Sequence, residues 1–406
     1  MIHQPPAGAK DLLPLEVAQK QHLRERLQEV FHRWGYQRII TSTLEWLDTL
    51  MAGGAIERST VIQLQEGDEG SLGLRPELTA SIARAAVTRM SSDSYPQRLC
   101  YVANVFRRAS ATYPGRQLEF YQAGVELLGK GGVLADAEII LLLADCLDEF
   151  KLQDWSLILG EAGLTRSLLA PFPESLRSRV RYCISHLDRV RLENLSLSQE
   201  LRDRALFIFD LRGKPADVLQ KVASLDLDES GKATVNNLKS LVELLNESSP
   251  FPLPLILDLS LLQTIDYYTG IVFEVVSFSK NQSRILGKGG RYDRLLGLYH
   301  PQGETAPGIG FAVNLEELHH LLLGTSELPQ EMPPSDWLIV PDRSSAEAAA
   351  FVYAQKLRQS EHLVRVEIDL GGRNREEIRE YARSRDISRV VWVKADGTPE
   401  IEAIGC

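Results

Sequence analysis

The sequence predicts an α+β fold, in which an antiparallel sheet flanked by helices carries a mainly helical insertion and is followed by a small α/β domain. Three observations predict it. Residues 99–106 and 119–126 are short apolar runs that flank the turn-rich Ser110-Ala-Thr-Tyr-Pro-Gly115, so they read as an antiparallel strand pair. Strand signals then give way to helix formers from about residue 160 to 250, and return afterwards. Last, residues 324–335 combine three prolines with small and polar residues, which is linker composition, and strand and helix patterns alternate beyond them.

In chain order, residues 14–34 carry Val17, Leu23, Leu27, Val30 and Phe31 at helical spacing, and Gly35 stands where a helix C-cap glycine belongs. Residues 36–45, rich in β-branched side chains, predict one strand. A strong helix pattern covers 134–150, and 155–159 is the strand signal that precedes the insertion. Strands resume at 255–259, 271–276 and 308–313, the last running into a helix over 315–323. After the linker come a strand at 337–341, a helix over 346–358, a strand at 363–369, a helix over 375–384 and a strand at 390–393.

Composition narrows the function. The 406 residues are 44% hydrophobic and 25% charged, which fits a globular protein of two or three domains. A net charge of −10 disfavours a general electrostatic grip on nucleic acid phosphates. The four cysteines stand alone, with no zinc-finger spacing and no disulfide framework, as suits a reducing compartment. The longest apolar run, residues 138–145, is far short of the ~20 residues of a membrane span, and the N-terminus lacks a signal-peptide core. A cytoplasmic protein with no membrane partner and no metal site is expected.

Four segments concentrate unusual polar residues beside predicted strands, and each has a plain structural alternative. Arg75, Glu77 and Thr79 stand in a turn before a helix, where Thr79 could serve only as the N-cap and Glu77 as a first-turn acid. Period-two alternation sets Gln122, Gly124 and Glu126 on one strand face, which could simply be solvated. Thr264-Ile-Asp-Tyr-Tyr-Thr-Gly270 places an acid beside two tyrosines able to flank a planar ligand, or to fill a core. Gly287-Lys-Gly-Gly-Arg-Tyr-Asp293 could cradle an anion or form a hairpin turn, and it lacks the Gly-Lys-Ser/Thr of a P-loop.

Taken together and in this order, the segments resemble the signature of class II histidyl-tRNA synthetases over nearly the whole chain. Pro6-Ala-Gly-Ala-Lys-Asp-Leu-Leu-Pro14 resembles that family's N-terminal block. Leu74-Arg-Pro-Glu-Leu-Thr79 and residues 106–126 resemble its motif 2 region. Ile265-Asp-Tyr-Tyr268 and Gly289-Gly-Arg-Tyr-Asp293 resemble the two histidine-specific motifs, and residues 308–316 resemble motif 3. The resemblance implies a class II aminoacyl-tRNA synthetase-like domain over 1–323, a linker at 324–335, and an anticodon-binding-like α/β domain over 336–406 that lacks its last elements.

The pattern breaks where a synthetase handles ATP. Adenylation needs fixed cations against the phosphates. The arginine of the family's Arg-Gly-Leu-Asp-Tyr-Tyr stretch is Gln263 here, and the Glu-Arg pair closing motif 3 is Glu316-Glu317. The motif 2 loop reads Arg108-Ala-Ser-Ala-Thr-Tyr113 in place of one carrying Glu-Arg-Pro, and motif 1's proline is Ser42. Arg107 and Arg116 remain as a possible anion-binding remnant. By contrast, the residues that the family uses for the amino acid map onto Glu77, Thr79, Gln122, Glu126, Tyr267 and Tyr268. Such side chains suit histidine: acceptors for an α-ammonium, and a carboxylate with tyrosines for the imidazole.

The segment 336–406 holds 11 Lys and Arg against 13 Asp and Glu, a poor footprint for tRNA, although Arg373, Arg375, Arg379 and Arg383 form a local cluster. A synthetase-like chain with its histidine pocket kept and its adenylation groups lost resembles the regulatory subunits of ATP phosphoribosyltransferase. That resemblance implies no catalytic residue and no cofactor. It also implies a short-form catalytic subunit as partner, a homodimer within a hetero-octamer, histidine feedback on the first step of histidine biosynthesis, and no tRNA. The competing expectations are an active histidyl-tRNA synthetase and a stand-alone histidine sensor.

Overall fold

The structure, a computed structural model, describes residues 3–404 apart from 55, 65–69, 91–93, 109–116, 226, 262–267 and 280–281. The chain divides into two compact units, Met1–Pro329 and Gln330–Cys406. In the larger unit a nine-stranded sheet is formed by β1 (Gln37–Arg38), β2 (Gln97–Phe106), β3 (Glu119–Leu128), β4 (Trp155–Glu161), β5 (Arg212–Gly213), β6 (Leu255–Asp258), β7 (Ile271–Ser279), β8 (Gln282–Arg291) and β9 (Gly308–Asn314). Their spatial order is β1-β2-β3-β9-β8-β7-β4-β6-β5. The six central strands are antiparallel throughout, as expected, but β1 joins β2 and β6 joins β4 in parallel, so the sheet is mixed toward its edges.

Period-two alternation sorts the sheet's two faces. On one, Ala123, Val125 and Leu127 of β3 pack with Leu23, Leu27, Val30 and Phe31 of the helix Pro14–Arg33 and with Ile139, Ile140 and Leu143 of the helix Val133–Asp148. Side chains of this kind contribute about 1.5–3 kcal/mol each when fully buried. The opposite face carries Leu99, Tyr101 and Val105 of β2, covered by Leu78, Ile82 and Ala86 of the segment leading into and forming the helix Thr79–Arg89. The polar residues of β3 lie on this second face.

The stretch 36–45 is not one strand. It contributes β1 to the large sheet and then leaves it, so that Leu44–Trp46 pairs with Leu72–Leu74, which in turn pairs with Gln63–Leu64 in a separate three-stranded sheet. Gly287–Asp293 is neither a hairpin turn nor an exposed cradle, because most of it lies within β8 at the centre of the large sheet. Glycine is required there by close packing: a Cβ on Gly289 would stand 2.5 Å from the Phe273 ring, and one on Gly290 would stand 2.7 Å from the backbone of Ile271.

Between β4 and β6 the chain is mainly helical, from Ala162–Leu169 to Glu229–Ser248. Acceptors placed one residue before the helices explain several of the starts: the side chains of Glu161, Asp188, Ser198 and Asp228 accept backbone N–H groups of the first turns. In the smaller unit Trp337–Pro341 sits between Val366–Ile368 and Arg389–Val393, both parallel to it, and a further antiparallel strand, Pro399–Ala403, completes a four-stranded sheet. That last strand follows the last one read from the sequence, at 390–393.

Candidate functional site

Four of the six predicted ligand residues converge between β3 and the N-terminus of the helix Thr79–Arg89, on the sheet face opposite the larger core. Glu126 is 1% exposed and Gln122 is 9% exposed, so this polar face is buried rather than solvated. Glu126 accepts hydrogen bonds from Thr79 Oγ1 at 2.7 Å and from the Tyr292 hydroxyl. Thr79 is therefore not the N-cap. Glu77 takes that part, accepting the backbone N–H groups of Thr79 at 2.5 Å and Ala80 at 3.0 Å, which frees the threonine hydroxyl for Glu126.

Tyr268 stands beside these groups, its ring against Gly290, where a Cβ would come within 2.7 Å of it. Its backbone carbonyl accepts Arg166 Nη1 at 2.9 Å. Tyr267, Gln263 and Arg116 lie outside the described residues. Arg107 donates from Nε to the carbonyl of Pro76 at 2.8 Å and lies 5.4 Å from the centroid of the Phe120 ring, which sets its charge beside Glu77.

Burial dominates the electrostatics. It pushes the Glu126 carboxyl up to about 8, with the nearby Glu77 adding to the rise, while the bonds from Tyr292 and Thr79 pull the other way. Burial also raises Glu77 despite its two backbone donors and the charge of Arg107. The Tyr268 and Tyr101 hydroxyls are raised by burial and by the same two carboxyls, so they remain neutral donors. Gln122 Oε1 is buried with no hydrogen-bond partner among the described residues. A buried acceptor of this kind costs free energy until a donor reaches it, which suits a ligand ammonium or N–H group. Among the described residues no cluster of three or more His, Cys, Asp or Glu side chains is arranged to hold a metal ion.

Sequence reasoning missed Tyr292, Tyr101 and Gly310 as members of the site. Tyr292 stands within Gly289-Gly-Arg-Tyr-Asp293, but its partner Glu126 is 166 positions away, so no local spacing joins the two. Gly310 pairs with Glu126 across β9 and β3, where a Cβ would stand 2.0 Å from Glu126 Oε2. Tyr101 crosses Gly124 in the same way, its hydroxyl 2.6 Å from where a Cβ would be.

The positions expected to lack phosphate cations are engaged within the protein. Glu317, in the first turn of the helix Leu315–Leu322, pairs with Arg284 of β8 at 2.7 Å. Glu316 forms a buried ion pair with Lys20 and also accepts the Tyr121 N–H at 3.4 Å. In the smaller unit the arginine cluster is met by acids: Arg373 by Asp369 at 2.8 Å, Arg375 by Asp342 at 3.5 Å, Arg379 by Glu402 at 2.6 Å and Arg383 by Glu376 at 3.9 Å.

The histidyl-tRNA synthetase family model matches residues 8–318. The histidyl-tRNA synthetase of Nostoc sp. PCC 7120 superimposes with a TM-score of 0.77 at 20% identity, covering 99% of this chain and 97% of that one, which shows a shared class II fold. Identity is far higher elsewhere. The ATP phosphoribosyltransferase regulatory subunit of Gloeothece citriformis is 66% identical over the full length of both chains. That of the same Nostoc strain is 63% identical, again over both full lengths. The chain belongs to the family of ATP phosphoribosyltransferase regulatory subunits. Within one organism, it thus shares its fold with the synthetase and its sequence with the regulatory subunit.

Proposed function

We propose that this chain is the non-catalytic regulatory subunit of ATP phosphoribosyltransferase, that it activates a short catalytic subunit, and that it binds histidine between Glu77, Thr79, Gln122, Glu126, Tyr267 and Tyr268. One observation carries the histidine assignment: Glu126 and Gln122 present buried acceptor groups on one face of β3, whereas Glu317, where the family resemblance implies a phosphate-side arginine, is neutralised by Arg284. Histidine brings an ammonium and a ring N–H to the first group and requires nothing of the second. Feedback follows if histidine binds one state of the complex more tightly than the other, a difference typically worth ~1–3 kcal/mol.

Two further features support the assembly. Leu44, Trp46 and Leu64 share one face of the three-stranded sheet and are 40–46% exposed, an apolar surface suited to a second copy of the chain in a homodimer within the hetero-octamer. The four clustered arginines of the smaller unit, Arg373, Arg375, Arg379 and Arg383, each meet a carboxylate, which weakens that cluster as a footprint for tRNA. Among the described residues no helix is long and apolar enough to cross a membrane, in keeping with a cytoplasmic biosynthetic subunit. Histidine-dependent ATP–pyrophosphate exchange separates this reading from a synthetase. The purified chain is expected to show none, and measurable exchange would overturn the proposal. Co-purification with a short catalytic subunit excludes a stand-alone sensor.

A further inference from the structure

A buried ion pair outside the ligand residues ties the pocket together. Arg291, the last residue of β8, directs Nε and Nη2 at Asp136 Oδ1, at 3.0 and 2.5 Å. Nη1 reaches Asp293 at 3.4 Å, and Nη2 also donates to the Gly132 carbonyl at 3.3 Å. Both partners of the main pair are buried. The guanidinium occupies a slot made by two glycines, since a Cβ on Gly270 would lie 2.8 Å from Arg291 Cδ and one on Gly131 would lie 2.9 Å from Nη1.

The backbone around Arg291 leads directly to the site. Its carbonyl accepts the Thr269 N–H at 2.7 Å, and Thr269 Oγ1 accepts the Asp293 N–H at 2.9 Å, so the segment after Tyr268 is fixed to the end of β8. The next residue, Tyr292, is the one whose hydroxyl donates to Glu126. Arg291 thus meets Gly270 with its side chain, holds Thr269 through its backbone carbonyl and directly precedes Tyr292.

We propose that the Asp136–Arg291 pair is the positioning device of the histidine pocket, holding the Tyr268–Gly270 segment and Tyr292 in place about Glu126. The inference rests on the histidine reading given above. A control is built into the same helix: Glu138, two residues from Asp136, pairs with Arg98 at 2.7 Å and accepts the Tyr36 hydroxyl at 2.8 Å. Loss of that pair removes helix-anchoring contacts without touching Arg291.

The experiment is calorimetric titration of histidine into the full chain and into the Asp136→Asn, Arg291→Lys and Glu138→Gln variants, each also melted without ligand. Asp136→Asn and Arg291→Lys are expected to weaken histidine at least tenfold, while Glu138→Gln lowers the melting temperature and leaves affinity within twofold. The pH profile separates positioning from general loosening. Burial raises the Asp136 carboxyl to about 6 against the pull of Arg291, with Asp293 and Glu161 also facing it and adding to the rise. The pair is ionised above that range, so the affinity ratio of wild type to Asp136→Asn should shrink toward one as pH falls from 7 to 5. A wild-type chain that binds histidine while Asp136→Asn and Arg291→Lys bind it equally well overturns the proposal alone. Equal weakening by Glu138→Gln overturns it too, and a wild type that binds no histidine overturns both the reading and the proposal.

Discussion

Replacing Glu126 by alanine removes the acceptor for two buried hydroxyls, Thr79 Oγ1 at 2.7 Å and the phenol of Tyr292. Glu126 is 1% exposed, so water has little access to replace it. In the proposed complex the substitution also strands the ring N–H of the bound histidine. A buried donor without a partner costs about 1–3 kcal/mol. Histidine affinity should therefore fall roughly 5- to 150-fold, at about 1.4 kcal/mol per tenfold. The free protein is destabilised as well, because Thr79 and Tyr292 lose their partner with or without ligand. Isothermal titration below the melting range of the variant measures the binding loss separately from a melt of the unliganded protein. Unchanged histidine affinity, within twofold, would refute the role assigned to Glu126.

Three other outcomes are expected. Because burial raises the folded-state pKa of Glu126 from its ordinary carboxylate range to about 8, its protonated form favours the fold; that contribution is complete below about pH 4.5 and is lost as pH rises through 8. Comparing melting temperatures across pH 5–9, Glu126→Gln should flatten this part of the decline, and an unaltered profile counts against the buried acid. Gly310→Ala sets a Cβ 2.0 Å from Glu126 Oε2, so overpacking should cost about 1–3 kcal/mol in denaturant melts and weaken histidine; a neutral change would show that β9 does not press on the site. Trp46→Glu places a charge on the apolar face shared with Leu44 and Leu64, and should shift the isolated chain toward monomers in sedimentation velocity, whereas an unchanged mass would move the homodimer contact elsewhere.

The fold was legible where local pattern and tertiary partner agree. Residues 99–106 and 119–126 read as an antiparallel pair because two short apolar runs flank a turn-rich loop, and their register runs from Gln97–Leu128 to Phe106–Glu119. The stretch 36–45 misled because β-propensity does not reveal which neighbour a strand chooses, and Leu44–Trp46 finds its partner in Leu72–Leu74. The glycines of β8 resembled a turn for an equally physical reason: Gly289 and Gly290 are glycine because Phe273, Tyr268 and neighbouring backbone occupy the space of their side chains.

The site was legible in kind more than in arrangement. The fold brings the expected Glu77, Thr79, Gln122 and Glu126 together, but their division of labour was not legible, since only the folded chain shows Glu77 capping the helix and Thr79 turning to Glu126. Tyr292 and the Asp136–Arg291 pair escaped notice because each joins residues more than 150 positions apart, a relation no local spacing encodes. Glu317, standing where the family resemblance implies an arginine, was visible in sequence, whereas its neutralisation by Arg284 of β8 was not.

The most direct measurement is the condensation of ATP with phosphoribosyl pyrophosphate by a short catalytic subunit, followed as this chain is titrated in and then as histidine is added. The account predicts that activity rises to a plateau at a fixed ratio of the two subunits and falls again with histidine. Activity that is the same with and without the chain would contradict it.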